Sequence, residues 1–168
     1  MSESLKLLLV GPKGVGKSTA IECITDQLTF LRAASRNVDT AMAVPLTAGQ
    51  VTLPSQQVAR LYAVPGQDCA DYRLALLARN ADGIAFLVDH RAQNALQQLA
   101  SYLDRFTGHL SQCSAVVGVT HIEHIPGKPL ERYHRLLAQR GVTYPVFPVD
   151  AREPDDVLLL IQALLAGR

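Results

Sequence analysis

Residues Gly11 to Ser18 read Gly-Pro-Lys-Gly-Val-Gly-Lys-Ser, which completes the pattern G-x-x-x-x-G-K-[ST], and Thr19 follows it. These residue types answer one chemical need. Glycines let the backbone turn tightly enough to aim a row of N–H donors inward, Lys17 brings a positive charge for β- and γ-phosphates, and Ser18 offers a hydroxyl to Mg2+. Gly11, Lys13, Gly14, Val15, Gly16, Lys17, Ser18 and Thr19 are therefore candidate contacts for a nucleoside di- or triphosphate. Context adds specificity, because the apolar run Leu5–Val10 leads directly into the loop and a helical pattern leads out of it.

Three further loops follow apolar runs and carry polar residues. After Val58–Val64 comes Pro65-Gly66-Gln67-Asp68; after Ala115–Val119 comes Thr120-His121-Ile122-Glu123-His124; after Pro145–Val149 comes Asp150-Ala151-Arg152. Imidazole and carboxylate are good metal donors, so His121, Glu123 and His124 admit a metal reading beside a base-contacting one and a merely polar one. Asp150 is a candidate base contact or, equally, the N-cap of the helix that follows.

The elements that must position these loops are legible as apolar runs alternating with helical spacing. Strands are expected at Leu5–Val10, Val58–Val64, Gly83–Val88, Ala115–Val119 and Pro145–Val149, four of them almost unbroken, as befits a parallel sheet covered on both faces. The partly alternating stretch Val44–Leu53, ended by Pro54-Ser55, predicts an edge strand in a hairpin with Val58–Val64. Helices are expected at Lys17–Leu28, Cys69–Arg79, Gln93–Phe106, Pro129–Arg140 and Pro154–Leu165. The prediction is an α/β P-loop NTPase fold: a mostly parallel, doubly wound sheet of about six strands, with one antiparallel edge strand and about five helices. Ligands of such sheets bind at the carboxyl ends of the strands, where all four loops fall.

Composition sets the outer limits. At 168 residues one domain, residues 1–168, is expected; 48% hydrophobic and 18% charged residues describe a globular chain. A net charge of +1 gives no reason to expect a nucleic-acid or membrane surface. Three cysteines without a C-x-x-C pair fit reduced thiols in the cytoplasm, and the short first apolar run fits neither a signal peptide nor a membrane span. The expected location is cytoplasmic.

Taken together, Gly11–Thr19, Leu61–Gln67, Val116–Thr120 and Pro145–Ala151 resemble the bacterial Ras-like small GTPases, most nearly the group related to the polarity GTPase MglA and the predicted GTPases paired with Roadblock/LC7 proteins. The resemblance implies a GTP/GDP switch with Mg2+ as cofactor, a Roadblock/LC7-domain regulator or effector, and recruitment to the membrane or cell pole through partners. It makes Gly66 the residue whose N–H meets the γ-phosphate and Gln67 the catalytic residue that orients the attacking water. The family's D-x-x-G-Q aspartate is Ala63 here, which weakens the metal site, although MglA-like proteins also lack that aspartate. Thr120, His121 and Glu123 stand where the guanine-reading N-K-x-D motif falls, and Asp150 and Ala151 where Ser-Ala-Lys falls. Switch I should supply a metal-binding threonine between Arg36 and Thr47; Thr40 and Thr47 are both available, and Thr40 is preferred because it precedes the edge strand. Lys13 replaces a loop glycine, and it blocks hydrolysis, acts as a counter-charge, or points to solvent. Slow unaided GTP hydrolysis is the expectation. A scaffold that holds nucleotide structurally or not at all is the rival from another class. A kinase is the third reading; it needs an arginine-rich lid late in the chain, and the candidates Arg132, Arg135 and Arg140 share a helix with Leu130, Leu136 and Leu137 that reads as an amphipathic surface helix more than as a lid.

Overall fold

The structure, a computed structural model, describes residues 4–25, 27–32, 45–66 and 71–167, with backbone alone for 27–32, 45, 46, 71 and 72. Gln67 and Thr40 lie outside the described residues, as do Cys69 and most of the span from Arg36 to Thr47.

In chain order the elements are β1 (Leu5–Val10), α1 (Lys17–Ile24), β2 (Gln27–Arg32), β3 (Pro45–Thr52), β4 (Val58–Ala63), α2 (Asp71–Ala78), β5 (Gly83–Asp89), α3 (Ala95–Leu110), β6 (Ser114–Thr120), α4 (Glu131–Gln139), β7 (Val146–Pro148) and α5 (Pro154–Ala166). The strands form one seven-stranded sheet in the order β2-β3-β4-β1-β5-β6-β7. β3 runs antiparallel to both neighbours, and every other pairing is parallel.

The unbroken apolar runs do bury both faces, and alternation divides each strand between two cores. Leu8 and Val10 of β1, Ile84, Phe86 and Val88 of β5, and Val117 and Val119 of β6 pack with α2, α3 and α4. Leu5, Leu7 and Leu9, Ala85 and Leu87, and Val116 pack with α1 and α5 instead. This period-two division between two helical layers is what a doubly wound sheet requires. Because β1 is flanked by β4 on one side and β5 on the other, the chain reverses its winding direction beside the β1–α1 loop. That reversal opens a crevice at the loop.

Two expectations about the edge need correction. The helix expected to run to Leu28 stops at Ile24, where Thr25 turns to extended backbone (φ −100°, ψ 130°) and donates its hydroxyl to the Ile21 carbonyl. The chain then enters β2, so the strand expected at the edge, β3, is interior, and β2 is the edge. The α/β arrangement stands with one strand more. The physical reason is that Ala20, Ile21, Ile24 and Leu28 keep helical spacing past the true stop. The pairing of Gln27–Arg32 with Gln50–Pro45 supplies backbone partners that spacing does not reveal.

Candidate functional site

The loop between β1 and α1 is held from three directions. Val15 is buried among Leu9, Ala85 and Val149 of the α1/α5 core, so its side chain pins the middle of the loop. Gly14 and Gly16 have φ of +80° and +106°, a region where only glycine is unstrained. Gly16 also closes on the loop after β7: a Cβ there would stand 2.8 Å from Cβ of Ala151. On the opposite flank Gly66 approaches so closely that a Cβ would stand 2.9 Å from the Lys13 nitrogen. The structure thus brings Gly66 and Ala151 to the loop from β4 and β7.

Lys17 is 9% exposed, and its Nζ donates to the carbonyls of Gly11 (2.7 Å) and Pro12 (2.8 Å). No carboxylate neutralises it in these bonds. Desolvation by burial therefore lowers its pKa from 10.5 to about 8. Ser18 Oγ donates to Thr47 Oγ1 of β3 at 3.0 Å. Lys13, Lys17, Ser18, Thr19, Thr47, Ala63 and Gly66 help to line a cavity of about 460 Å³. The side-chain oxygens among these lining residues are hydroxyls, which fit a Mg2+ that arrives on phosphates and keeps much of its water shell.

A second hollow, of about 160 Å³, shares Gly14, Gly16 and Thr19 with the first and is completed by Thr120, His121, Glu123, Asp150, Ala151 and Arg152. The expected base-contacting residues do converge here, but their bonding differs from the expectation in detail. Thr120 is buried and its hydroxyl donates to the Val88 carbonyl at 3.2 Å. His121 sits at φ +54°, with Nδ1 3.3 Å from Asp89 Oδ1 but outside hydrogen-bond geometry. Glu123 is exposed and lies in the field of Arg91 and Arg152. Asp150 accepts from the backbone N–H and Nε of Arg152 (3.0 and 2.9 Å) and from its Nη2 (2.6 Å), which hold its carboxyl down at about 2.

Two readings of these loops are corrected. Glu153, not Asp150, is the N-cap of α5, and the Asp150 N–H instead donates to Asp156 Oδ2 at 2.8 Å. Asp150 stands too far ahead of Pro154 to cap, because a turn closed by the Glu153 N–H on the Asp150 carbonyl intervenes. The metal reading of His121, Glu123 and His124 also fails. Among the described residues no three His, Cys, Asp or Glu side chains gather as ligands; His121 turns to Asp89, while Glu123 and His124 are exposed.

Sequence reasoning missed the residues around His121. Asp89-His90-Arg91 at the end of β5 repeats the Asp150-Ala151-Arg152 arrangement: the carboxylate takes the i+2 N–H (2.9 Å) and the arginine's Nε and Nη2 (3.1 and 2.9 Å). The signal was present as Asp-x-Arg twice after an apolar strand. Behind it, Arg132 Nη2 donates to Tyr133 Oη (2.8 Å) and the His90 carbonyl (3.2 Å), and the buried Tyr133 hydroxyl lies 3.1 Å from His90 Nδ1. This ties α4 to the β5 loop. Arg135 pairs with Glu131 and Arg140 with Asp104, so all three candidate lid arginines have intramolecular partners.

The sheet, its helices and the position of the loop have the layout of the P-loop NTPase fold class. No protein-family model matches the chain, and no curated protein shows significant similarity to it. No helix among the described residues is long and apolar enough to cross a membrane.

Proposed function

We propose that the chain is a nucleotide-dependent switch of the Ras-like small GTPase kind, which captures GTP or GDP with Mg2+ and hydrolyses GTP slowly without a partner. The observation that carries the reading is the buried Lys17 ammonium, bonded among the described residues only to two neutral carbonyls, on a residue that lines one cavity with Ser18 and Thr47. A phosphate oxygen is the better partner for that cation, since a charge-assisted bond is roughly twice as strong as one to a neutral acceptor. Lys13 lines the same cavity and adds a second cation. Mg2+ would be held by Ser18 and the phosphates, and when bound it neutralises charge on the β- and γ-oxygens. Glu123 is the carboxylate available to accept from guanine N–H groups, because Asp89 and Asp150 are each engaged by an arginine. Gln67 orients water in this reading. Slow turnover follows from Ala63 and Lys13 and makes a Roadblock/LC7-domain partner the source of acceleration and of any recruitment to membrane or pole.

The occupied carboxylates favour a second reading, a scaffold with weak or no nucleotide selectivity. The kinase reading loses support because its arginines are engaged elsewhere. One experiment separates these: release and identify the nucleotide that co-purifies with the native protein, and record melting with and without GTP·Mg2+. Guanine nucleotide with a raised Tm supports the switch. Adenine overturns guanine selection, and an unchanged Tm with no bound nucleotide supports the scaffold.

A further inference from the structure

Behind the second hollow lies an apolar groove of about 610 Å³, lined by Ile122, Pro129, Leu130 and Pro148, with Lys128, Glu131 and His134 as its charged and titratable residues. The backbone builds it. The chain turns at His124 (φ +66°) and Gly127 (φ +86°), and Pro126 and Pro129 fix φ on either side of that glycine. A groove with so stiff a wall needs little ordering when it is filled. Ile125, whose N–H donates to the Ile122 carbonyl at 3.3 Å, is 37% exposed and carries the apolar surface beyond the groove.

Charge and the sheet edge say what fits there. Glu131 is paired with Arg135 at 3.5 Å, whereas among the described residues no carboxylate pairs with Lys128. The groove thus offers a free ammonium beside an apolar lining, and its own carboxylate is engaged. An acidic, apolar segment complements that pattern. Strand addition does not suit the edge: β7 is three residues long, Pro145 precedes it, and Pro148 has no N–H to give. Side chains must make the contacts, which is how an amphipathic helix seats in a groove.

We propose that the groove between the β6–α4 loop and Pro148 is a docking site for an amphipathic helix of a partner protein, apolar on the seated face and acidic beside it, with a carboxylate on Lys128. Its position gives docking an effect. Ile122 lines the groove while His121 and Glu123 line the second hollow, and Pro148 lines the groove while Val149 and Asp150 line the hollow. Each shared wall is one chain segment thick. Glu131 opens α4, and the next two residues, Arg132 and Tyr133, reach His90 at the end of β5. An occupant therefore holds the loops of the hollow from behind without entering it. On the nucleotide reading above, on which this step alone rests, docking slows release of bound nucleotide.

The probe is a phage-displayed library of random helical peptides, selected on the full chain with GDP·Mg2+ present to keep the phosphate cavity filled. Peptides with an apolar face flanked by Asp or Glu should be enriched. A synthetic copy of the most enriched peptide should bind Lys128→Glu about tenfold or more weakly than the wild type, the worth of one hydrogen bond to a charged group. It should bind Lys128→Arg as it binds the wild type, and it should slow amide exchange over residues 122–131. Lys128 is exposed, so neither variant should change Tm, which separates lost docking from lost fold. Enrichment of neutral or basic peptides, no enrichment, protection elsewhere, or equal affinity for Lys128→Glu would overturn the docking site. So would self-association of the wild-type chain in sedimentation that Lys128→Glu disperses, since a second copy would then be the occupant. Release of labelled GDP with saturating peptide should slow severalfold; unchanged release overturns the coupling alone. A chain that holds no GDP overturns the nucleotide reading, and the peptide affinities and exchange still decide the docking site.

Discussion

Replacing Lys17 by methionine tests whether that ammonium serves the fold or a ligand, and the two roles predict opposite signs. The fall of its pKa from 10.5 to about 8 corresponds, at 1.36 kcal/mol per pH unit, to about 3 kcal/mol of destabilisation borne by the free protein at neutral pH. The side chain is only 9% exposed, so solvent screening removes little of this. Against it stand two carbonyls, of Gly11 and Pro12, that lose a donor when the lysine goes. Each would cost about 1–3 kcal/mol if left dry, but Lys17 itself lines the 460 Å³ cavity, so a water can enter the place its ammonium vacates and donate to them. Methionine keeps the stem and its packing. The net change is therefore about zero to 2 kcal/mol in favour of the variant, an unchanged Tm or a rise of a few degrees for a domain of this size.

Nucleotide affinity should move the other way. Loss of a desolvated charge–phosphate contact is worth several kcal/mol, enough to abolish the Tm increase that GTP·Mg2+ gives the wild type. Calorimetry of both proteins with and without nucleotide supplies all four values. A Tm lowered by more than about 5 °C in the free variant would mean that the ammonium is a net structural clamp, which would refute the energetic argument. A full nucleotide-induced shift in the variant would refute the ligand role.

The same group gives a pH signature with two signs. Between about 8 and 10.5 the unfolded chain holds a proton on Lys17 that the free folded protein has lost, so its contribution to stability rises with pH across that window. Phosphate binding needs the proton, so affinity for GDP should fall through the same window, by up to about tenfold per pH unit, in isothermal titrations. Ala151→Leu should weaken binding of either nucleotide at least about tenfold in the same assay. Its larger side chain must enter the narrow hollow where Ala151 faces Gly16, and overpacking of this kind costs about 1–3 kcal/mol. Gln67→Leu should leave nucleotide affinity unchanged and slow phosphate release in the presence of an accelerating partner; undiminished turnover would remove Gln67 from the mechanism.

What the sequence made legible is what depends on local pattern. The glycines and Lys17 specify a loop because their spacing is itself the geometry, and the nearly unbroken runs of β1, β5 and β6 specify burial on both faces because their polar residues fall only at or next to an end. The edge was hidden, since Ala20 to Leu28 keep helical spacing across a strand boundary. Register was hidden as well. Thr47 meets Ala63 only because the turn from Leu53 to Gln57, with Gln56 at φ +64°, closes so that Thr52 faces Val58. A turn one residue longer would shift that pairing and turn Thr47 to the other face. The Asp-x-Arg forks escaped for another reason: the sequence shows a carboxylate as available, whereas the folded backbone aims an i+2 guanidinium at it.

Those forks also bear on how a nucleotide would be oriented. Asp150 with Arg152 in the lining of the second hollow, and Asp89 with Arg91 next to its His121, are locally neutral pairs, so the hollow carries little charge beyond that of Glu123. The larger cavity carries Lys13 and Lys17, and its lining residues include no acidic side chain among those described. A ligand with an anionic end and a neutral, hydrogen-bonding end fits this polarity in one direction only, with phosphates over the β1–α1 loop and the ring toward β6 and β7. Had Asp89 and Asp150 been free, the ring end would have been strongly acidic and would have favoured a cationic group. In the proposed switch the arginines would thereby leave room for an uncharged base and Glu123 as the carboxylate to read it.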